Sequence, residues 1–231
     1  MTTEWKRARC IKRWDGEKWV RVRNIKILKD GEWVQTNAIR YAVKTAAVTS
    51  YSLWGWGLND EGQLTNDLTS PQTSPGQIGS NTWKMITAGA KTTHGILSDD
   101  TLWGWGRGNE GQIGDGGFSD RSQPTQIGSS TWKQVAGGQY HTLAILSDYT
   151  MWAWGANANY QLGDGTTTTR TSPTQIGSST WVQAVASGLA SHGILSGGTL
   201  WGWGEGGYNE IGNGSTNDQS TPTQIGSSTW K

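Results

Sequence analysis

The sequence predicts an all-β chain: a β-propeller-like array of four 49-residue, four-stranded units closed by strand exchange, preceded by an N-terminal β-hairpin arm. Three observations predict it. A tryptophan-glycine block recurs at Trp54, Trp103, Trp152 and Trp201, each 49 residues after the last, and a second series, Trp83, Trp132, Trp181 and Trp230, keeps the same step. The chain holds 34 Gly among 231 residues with frequent Ser, Thr, Asn and Asp, which punctuates it into many short strands. Only 33% of its residues are hydrophobic, yet 16 are Trp, and each buried aromatic removes roughly 150–250 Å² from water. The tryptophans are therefore expected to be mostly core.

Each unit reads as four strands. In LWGWG, alternation sets Trp103 and Trp105 on one face, with Gly104 and Gly106 leaving the other bare for the backbone of a neighbouring sheet. A polar turn follows, GQIGDGG or YQLGDGT, with an Asp-Gly step suited to positive φ. PTQIG and the segment after Trp132 supply two further strands, and HTLAILSD at residues 141–148 supplies the fourth. Such a sheet cannot bury both faces alone, so neighbouring units must stack.

The ends of the array are complementary. The last unit stops at Trp230-Lys231, while AAVTSYSLW at residues 46–54 aligns without gaps on AILSDYTMW at residues 144–152. N-terminal strands from residues 35–53 are thus expected to complete the unit left open at residue 231. This gives a propeller over residues 35–231 and an arm over residues 1–34. Closure within one chain has the lower entropic cost; closure between chains into a larger ring uses the same cut.

Residues 102–116 (LWGWGRGNEGQIGDG), 151–165 (MWAWGANANYQLGDG) and 135–146 (VAGGQYHTLAIL) resemble the regulator of chromosome condensation repeat. The resemblance covers most of residues 36–231. It implies a β-propeller, usually of seven blades, in a family that includes nucleotide-exchange factors for small GTPases, β-lactamase inhibitor proteins and phage proteins. The fold does not choose among these. The family histidine occurs only at His141, whereas His94 and His192 sit two positions further along; all three are read as core histidines. No unit carries the long insertion that an exchange factor uses as a wedge.

The arm follows another rule. Two successive hairpins are expected, IKRW/WVRV and KILK/WVQ, each with an Asp-Gly turn, at Asp15-Gly16 and Asp30-Gly31. Residues 1–50 carry 12 Lys and Arg against 5 Asp and Glu, the remainder 7 against 13, so a basic arm precedes a mildly acidic body. Hairpins this small need a surface to dock on. The doubled DGxWV pattern resembles segments of tailed-phage structural proteins, which implies a virion component anchored through Trp5, Trp14, Trp19, Arg21, Arg23 and Trp33. Trp interleaved with basic residues also suits nucleic acid. Alternation, which separates Trp from Lys and Arg, favours docking on other virion proteins within a homo- or hetero-oligomeric assembly.

No catalytic residue, cofactor or metal is expected. Cys10 is a single cysteine, and the turns at Asp115, Asp164 and Asn213 each offer one ligand group where calcium takes 6–8 oxygens, so Asx capping is the better account. The N-terminus lacks the apolar core of a signal peptide and no apolar run reaches bilayer length, so neither secretion by that route nor membrane insertion is expected. Differences among the units collect in loops 59–61, 107–110, 157–160 and 205–210, and in 68–74, 117–122, 166–170 and 215–219. Loops on a rigid scaffold carry recognition, and Phe118, Arg121, Tyr160 and Tyr208 are the candidate partner-binding residues. The expected function is a phage virion structural protein, of the tail, a fibre or the decoration, presenting its propeller to a host-surface glycan or protein. The alternative is a soluble lectin-like or inhibitor module, and after that a GTPase exchange factor.

Overall fold

The computed structural model describes residues 51–64 and 70–230 in full, and residues 5–7, 12–14, 19–21, 26–29, 32–35 and 40–42 as backbone strands. The chain separates into two compact units, Met1–Val48 and Thr49–Lys231. No described residue is helical.

In the first unit, β1 (Trp5–Arg7) pairs antiparallel with β6 (Arg40–Ala42). β2 (Lys12–Trp14) pairs with β3 (Trp19–Arg21), setting Trp14 opposite Trp19, and β4 (Lys26–Lys29) pairs with β5 (Glu32–Gln35), setting Leu28 opposite Trp33. Both expected hairpin pairings are present; their Asp-Gly turns, and Arg23, lie outside the described residues. Arg40–Ala42, assigned from sequence to the array, instead finds its partner in β1, so the compact boundary falls after Val48 rather than after residue 34.

The second unit is one antiparallel ladder of eleven strands in sequence order. They are β7 (Tyr51–Gly57), β8 (Gln72–Ala88), β9 (Thr92–Leu97), β10 (Thr101–Gly106), β11 (Arg121–Gly137), β12 (His141–Leu146), β13 (Thr150–Gly155), β14 (Arg170–Ser187), β15 (Ala190–Leu195), β16 (Thr199–Gly204) and β17 (Gln219–Thr229). The two short strands expected around Trp132 are one continuous strand, β11. Its first part pairs with β10 as far as Thr131↔Thr101, and from Trp132↔Leu146 onward it pairs with β12. The strand changes partner without a loop because the register shifts at that point and Gly128 takes φ 61°. β8 and β14 do the same.

Each blade thus consists of the second part of one long strand, two six-residue strands, and the first part of the next long strand. Three complete blades result, and β7 with the first part of β8 makes half of another. The expected strand-exchange closure is not among the described pairings: the ladder ends on β7 and β17, which do not pair with each other.

Burial follows the tryptophan lattice. Trp83, Trp105, Trp132, Trp154, Trp181 and Trp203 are at most 3% exposed and meet in pairs at ring-centroid distances of 5.4 Å (Trp83–Trp105), 6.0 Å (Trp132–Trp154) and 5.7 Å (Trp181–Trp203). Removing that much aromatic area from water, at about 25 cal/mol/Å², supplies the cohesion that a chain poor in Leu and Val otherwise lacks. Gly104 has a different purpose from the one its alternation suggested. A Cβ there would meet the ring of His94 and the Cδ1 of Ile127, so the space it leaves is filled by side chains of the flanking strands and not by a neighbouring backbone.

Candidate binding face

Adjacent blades are locked by one repeated joint. The main-chain carbonyl of Gln112, in the loop after β10, accepts two hydrogen bonds from the following blade: Trp154 Nε1 at 3.0 Å and Thr142 Oγ1 at 3.1 Å. Gln63 receives Trp105 Nε1 at 2.9 Å and Thr93 Oγ1 at 3.1 Å, and Gln161 receives Trp203 Nε1 at 3.1 Å and Ser191 Oγ at 2.7 Å. The glutamine side chains turn back on their own loops, with Gln112 Oε1 accepting the amide of Glu110 and Gln161 Oε1 that of Asn159. The indole lies over a glycine: a Cβ on Gly114 would stand 2.5 Å from Trp154 Nε1, and one on Gly163 would stand 2.7 Å from Trp203 Nε1. Each joint spends the polar edge of a tryptophan on a backbone acceptor and buries its apolar body.

The loops carried by these joints come in two designs. In the third repeat Asn157, fully buried, accepts the Leu162 amide and donates to Asp164 Oδ1 and to the carbonyls of Thr166 and Thr168. In the second and fourth, Gly108 and Gly206 stand at that place, and their amides bond Asp120 Oδ1 at 2.8 Å and Asp218 Oδ1 at 3.0 Å. Loop ends are closed by Asx turns, as the sequence suggested: Asp115, Asp164 and Asn213 accept the amides two residues on, from Gly117, Thr166 and Ser215.

The candidate recognition residues fare differently on this frame. Phe118 is 59% exposed and Tyr208 85% exposed, on loops pinned by the bonds of the Gly108 and Gly206 amides to Asp120 and Asp218 and of the Tyr208 amide to Glu210 Oε2. Arg121 is half-buried and held by Asp115, with Nη2 and Nε each 2.5 Å from Oδ2, an arrangement that Arg170 and Asp164 repeat. Tyr160 is half-buried with φ 59°, where the earlier repeats have Gly62 and Gly111 at φ 76° and 72°. The anchoring residues Trp5, Trp14, Trp19, Arg21 and Trp33 lie on described backbone strands, but their side chains are outside the described residues. A recess of about 330 Å³, lined in part by Asp164, Gln175, Trp181, Trp201 and Pro222, opens between the second and third blades.

Sequence reasoning missed one pair. His141 Nε2 lies 2.8 Å from Ser191 Oγ across a blade boundary, the spacing of a nucleophile and its base. The hydrogen-bond pattern excludes that role. Ser191 spends its proton on the Gln161 carbonyl, so His141 must donate from Nε2 and has no lone pair facing the hydroxyl. Both residues are at most 1% exposed, and His141 Nδ1 has no partner among the described residues. Burial pushes His141 down to about 4, and His94, which donates to the Ile113 carbonyl, likewise to about 4. These are neutral core histidines that bridge strands and blades. The detectable signal was positional: Ser191 occupies in its repeat the place that Thr142 and Thr93 hold in theirs.

Interlocked four-stranded blades carrying variable loops define this chain as a propeller-type repeat scaffold. Residues 99–145 and 150–192 match the regulator of chromosome condensation (RCC1) repeat, and a second description of that repeat matches residues 132–161. No curated protein matches the chain in sequence. Among solved structures it is similar to Prp20p from Saccharomyces cerevisiae (19% identity, TM-score 0.68, covering 76% of this chain and 46% of that one), a protein described with its binding to Gsp1p and histones. It is also similar to human WBSCR16 (22% identity, TM-score 0.65, covering 75% and 47%). The chain spans less than half the length of either.

Proposed function

We propose that this chain is a protein-binding array that recognises its partner through the variable loops and is anchored through residues 1–34, as a structural component of a phage particle. The observation that carries the reading is the exposure of Phe118 and Tyr208 on loops pinned by Asp120, Asp218 and Glu210. An exposed aromatic on a rigid base is the residue type that dominates protein interfaces, since little entropy is lost when it is covered. Tyr160 supports the same reading, because a bulky residue held at positive φ where two other repeats use Gly and one uses Asn is strain that a function would maintain. Prp20p, with its protein partners, is a precedent for the scaffold. The doubled hairpins support anchoring, since pairs of this size gain stability only against another surface.

Deleting residues 1–48, the first compact unit, is expected to leave the array folded, with unchanged thermal unfolding, and to abolish incorporation into particles. Normal incorporation would sink the anchoring role. Phe118→Ala and Tyr208→Ala are each expected to weaken partner binding by about tenfold or more at constant stability. A second reading is favoured by the recess of about 330 Å³ lined by Trp181, Trp201 and Gln175, an aromatic wall beside a polar group as a sugar-binding site requires. Glycan-array binding that survives arm deletion and is lost in Trp201→Ala would favour that reading.

A further inference from the structure

The two ends of the array are the two halves of the joint that locks its interior. Trp56 on β7 is the first-repeat counterpart of Trp105, Trp154 and Trp203, yet it is 60% exposed where each of those is fully buried. At the other end, Glu210 stands where Gln112 and Gln161 stand in their loops. Those two are 1% exposed with their carbonyls doubly bonded; Glu210 is exposed, and its carbonyl accepts no hydrogen bond among the described residues. Gly212 is the counterpart of Gly114 and Gly163. A Cβ on either of those would strike an indole, whereas around Gly212 nothing lies within 4 Å.

Two further contacts have the same open ends. His94 and His192, 98 residues apart, make the same 3.3 Å bond to the carbonyls of Ile113 and Ile211. His94 is sealed by the edge of Trp154, 6.0 Å between centroids, but His192 is only half-buried. The repeat counterpart of Trp154 for His192 is Trp56. The amides of Gly116 and Gly165 bond the carbonyls of Thr171 and Ser220 in the next blade at 2.9 Å, while no such bond is seen for Gly214, whose counterpart acceptor is the exposed Thr73.

We propose that a second copy of this chain supplies the missing half: Trp56 of one copy seats over Gly212 and against His192 of another, donating its indole N–H to the Glu210 carbonyl. The occupant is specified by continuity with the internal joints and by the outer edges of β7 and β17, which pair with no strand among the described residues. The interface is head-to-tail, so the copies form a ring where the rotation closes and a fibre where it does not. Glu210 shares the 205–210 loop with Tyr208, but the joint uses its main-chain carbonyl and neither Phe118 nor the Tyr208 side chain, so failure of the loop-recognition reading leaves it standing.

The test is light scattering of the full chain over a concentration series, with Trp56→Ala and Gly212→Asn. Asn tolerates the φ of 76° at Gly212 and has space there, so the monomer should fold while the seat is blocked. Wild type is expected to associate as concentration rises, and each variant to weaken association by about thirtyfold or more. An equimolar mixture of the two variants should recover dimers that grow no further, because one intact plug then meets one intact seat. A wild-type chain that stays monomeric overturns the proposal. So does association that neither variant disturbs, or a mixture that fails to recover it.

Discussion

At residue scale the most consequential groups are the polar atoms placed inside a tryptophan-lined core. His94 and His141 are held neutral by burial, with values near 4 against the usual 6.5. The unfolded chain therefore binds protons between these values while the native state does not. Stability is fully present above about pH 6.5 and falls as pH drops toward 4, by roughly 1.4 kcal/mol per histidine per pH unit at most. Urea denaturation at pH 7.5, 6, 5 and 4 is expected to show this decline, and His94→Gln should reduce its slope. A flat profile would mean that both rings are charged or solvated in the native state. Tyr160 makes a separate point. Its φ of 59° is occupied by Gly in two repeats and by Asn209, at 64°, in another, so Tyr160→Gly should raise stability by about 0.5–1 kcal/mol in thermal unfolding, less whatever packing the half-buried ring provides. If Tyr160 belongs to the recognition loops, the same variant binds its partner more weakly, a trade of function for stability.

The element that matters is the strand-loop-strand module that ends in the glycine seat. Gly114 carries φ 90° and the Trp154 indole directly above it; Gly212 carries φ 76° and open space. Gly114→Ala must displace the indole and its bond to Gln112, and is expected to cost about 2–4 kcal/mol in chemical denaturation. Gly212→Ala bears only the backbone penalty, about 1–2 kcal/mol. The repeat revealed this module in part. Trp154 was visible as a fixed point of the 49-residue lattice, and His94 and His141 are buried as expected, whereas His192 is half-buried. What each fixed point touches was not visible, because the joint unites residues 30, 40 and 42 positions apart whose proximity depends on how one blade turns against the next. The same limit hid the His141–Ser191 pair; the Asp115 clamp on Arg121, which from sequence looked like a free recognition residue, closes within six residues of one loop and was hidden by that loop's path.

For the whole molecule, cohesion is nearest-neighbour: each blade is stabilised by the one before it and the one after it. The half-blade at β7 has a neighbour on one side, and Tyr51, Trp54 and Trp56 are 58%, 52% and 60% exposed, whereas the core strands of the central blade are almost completely buried. Hydrogen exchange at low protein concentration should therefore be fastest in Tyr51–Gly57 and slowest in Thr150–Gly155. Protection of β7 that rises with concentration would accompany the head-to-tail joint.

The sequence by itself determined the all-β class, the 49-residue period, the four-strand content of a unit and the paired hairpins of the arm. These depend on local spacing, turn chemistry and the alternation of Trp with Gly, which act over a few residues or repeat identically. Only the tertiary structure decided that the long strands run unbroken from blade to blade, that Arg40–Ala42 pairs with Trp5–Arg7, and that β7 and β17 end the ladder unjoined. Those outcomes depend on the angle between successive blades and on which edge meets which partner. A repeat that is the same in every unit encodes the joint, but not where its last open half will find a match.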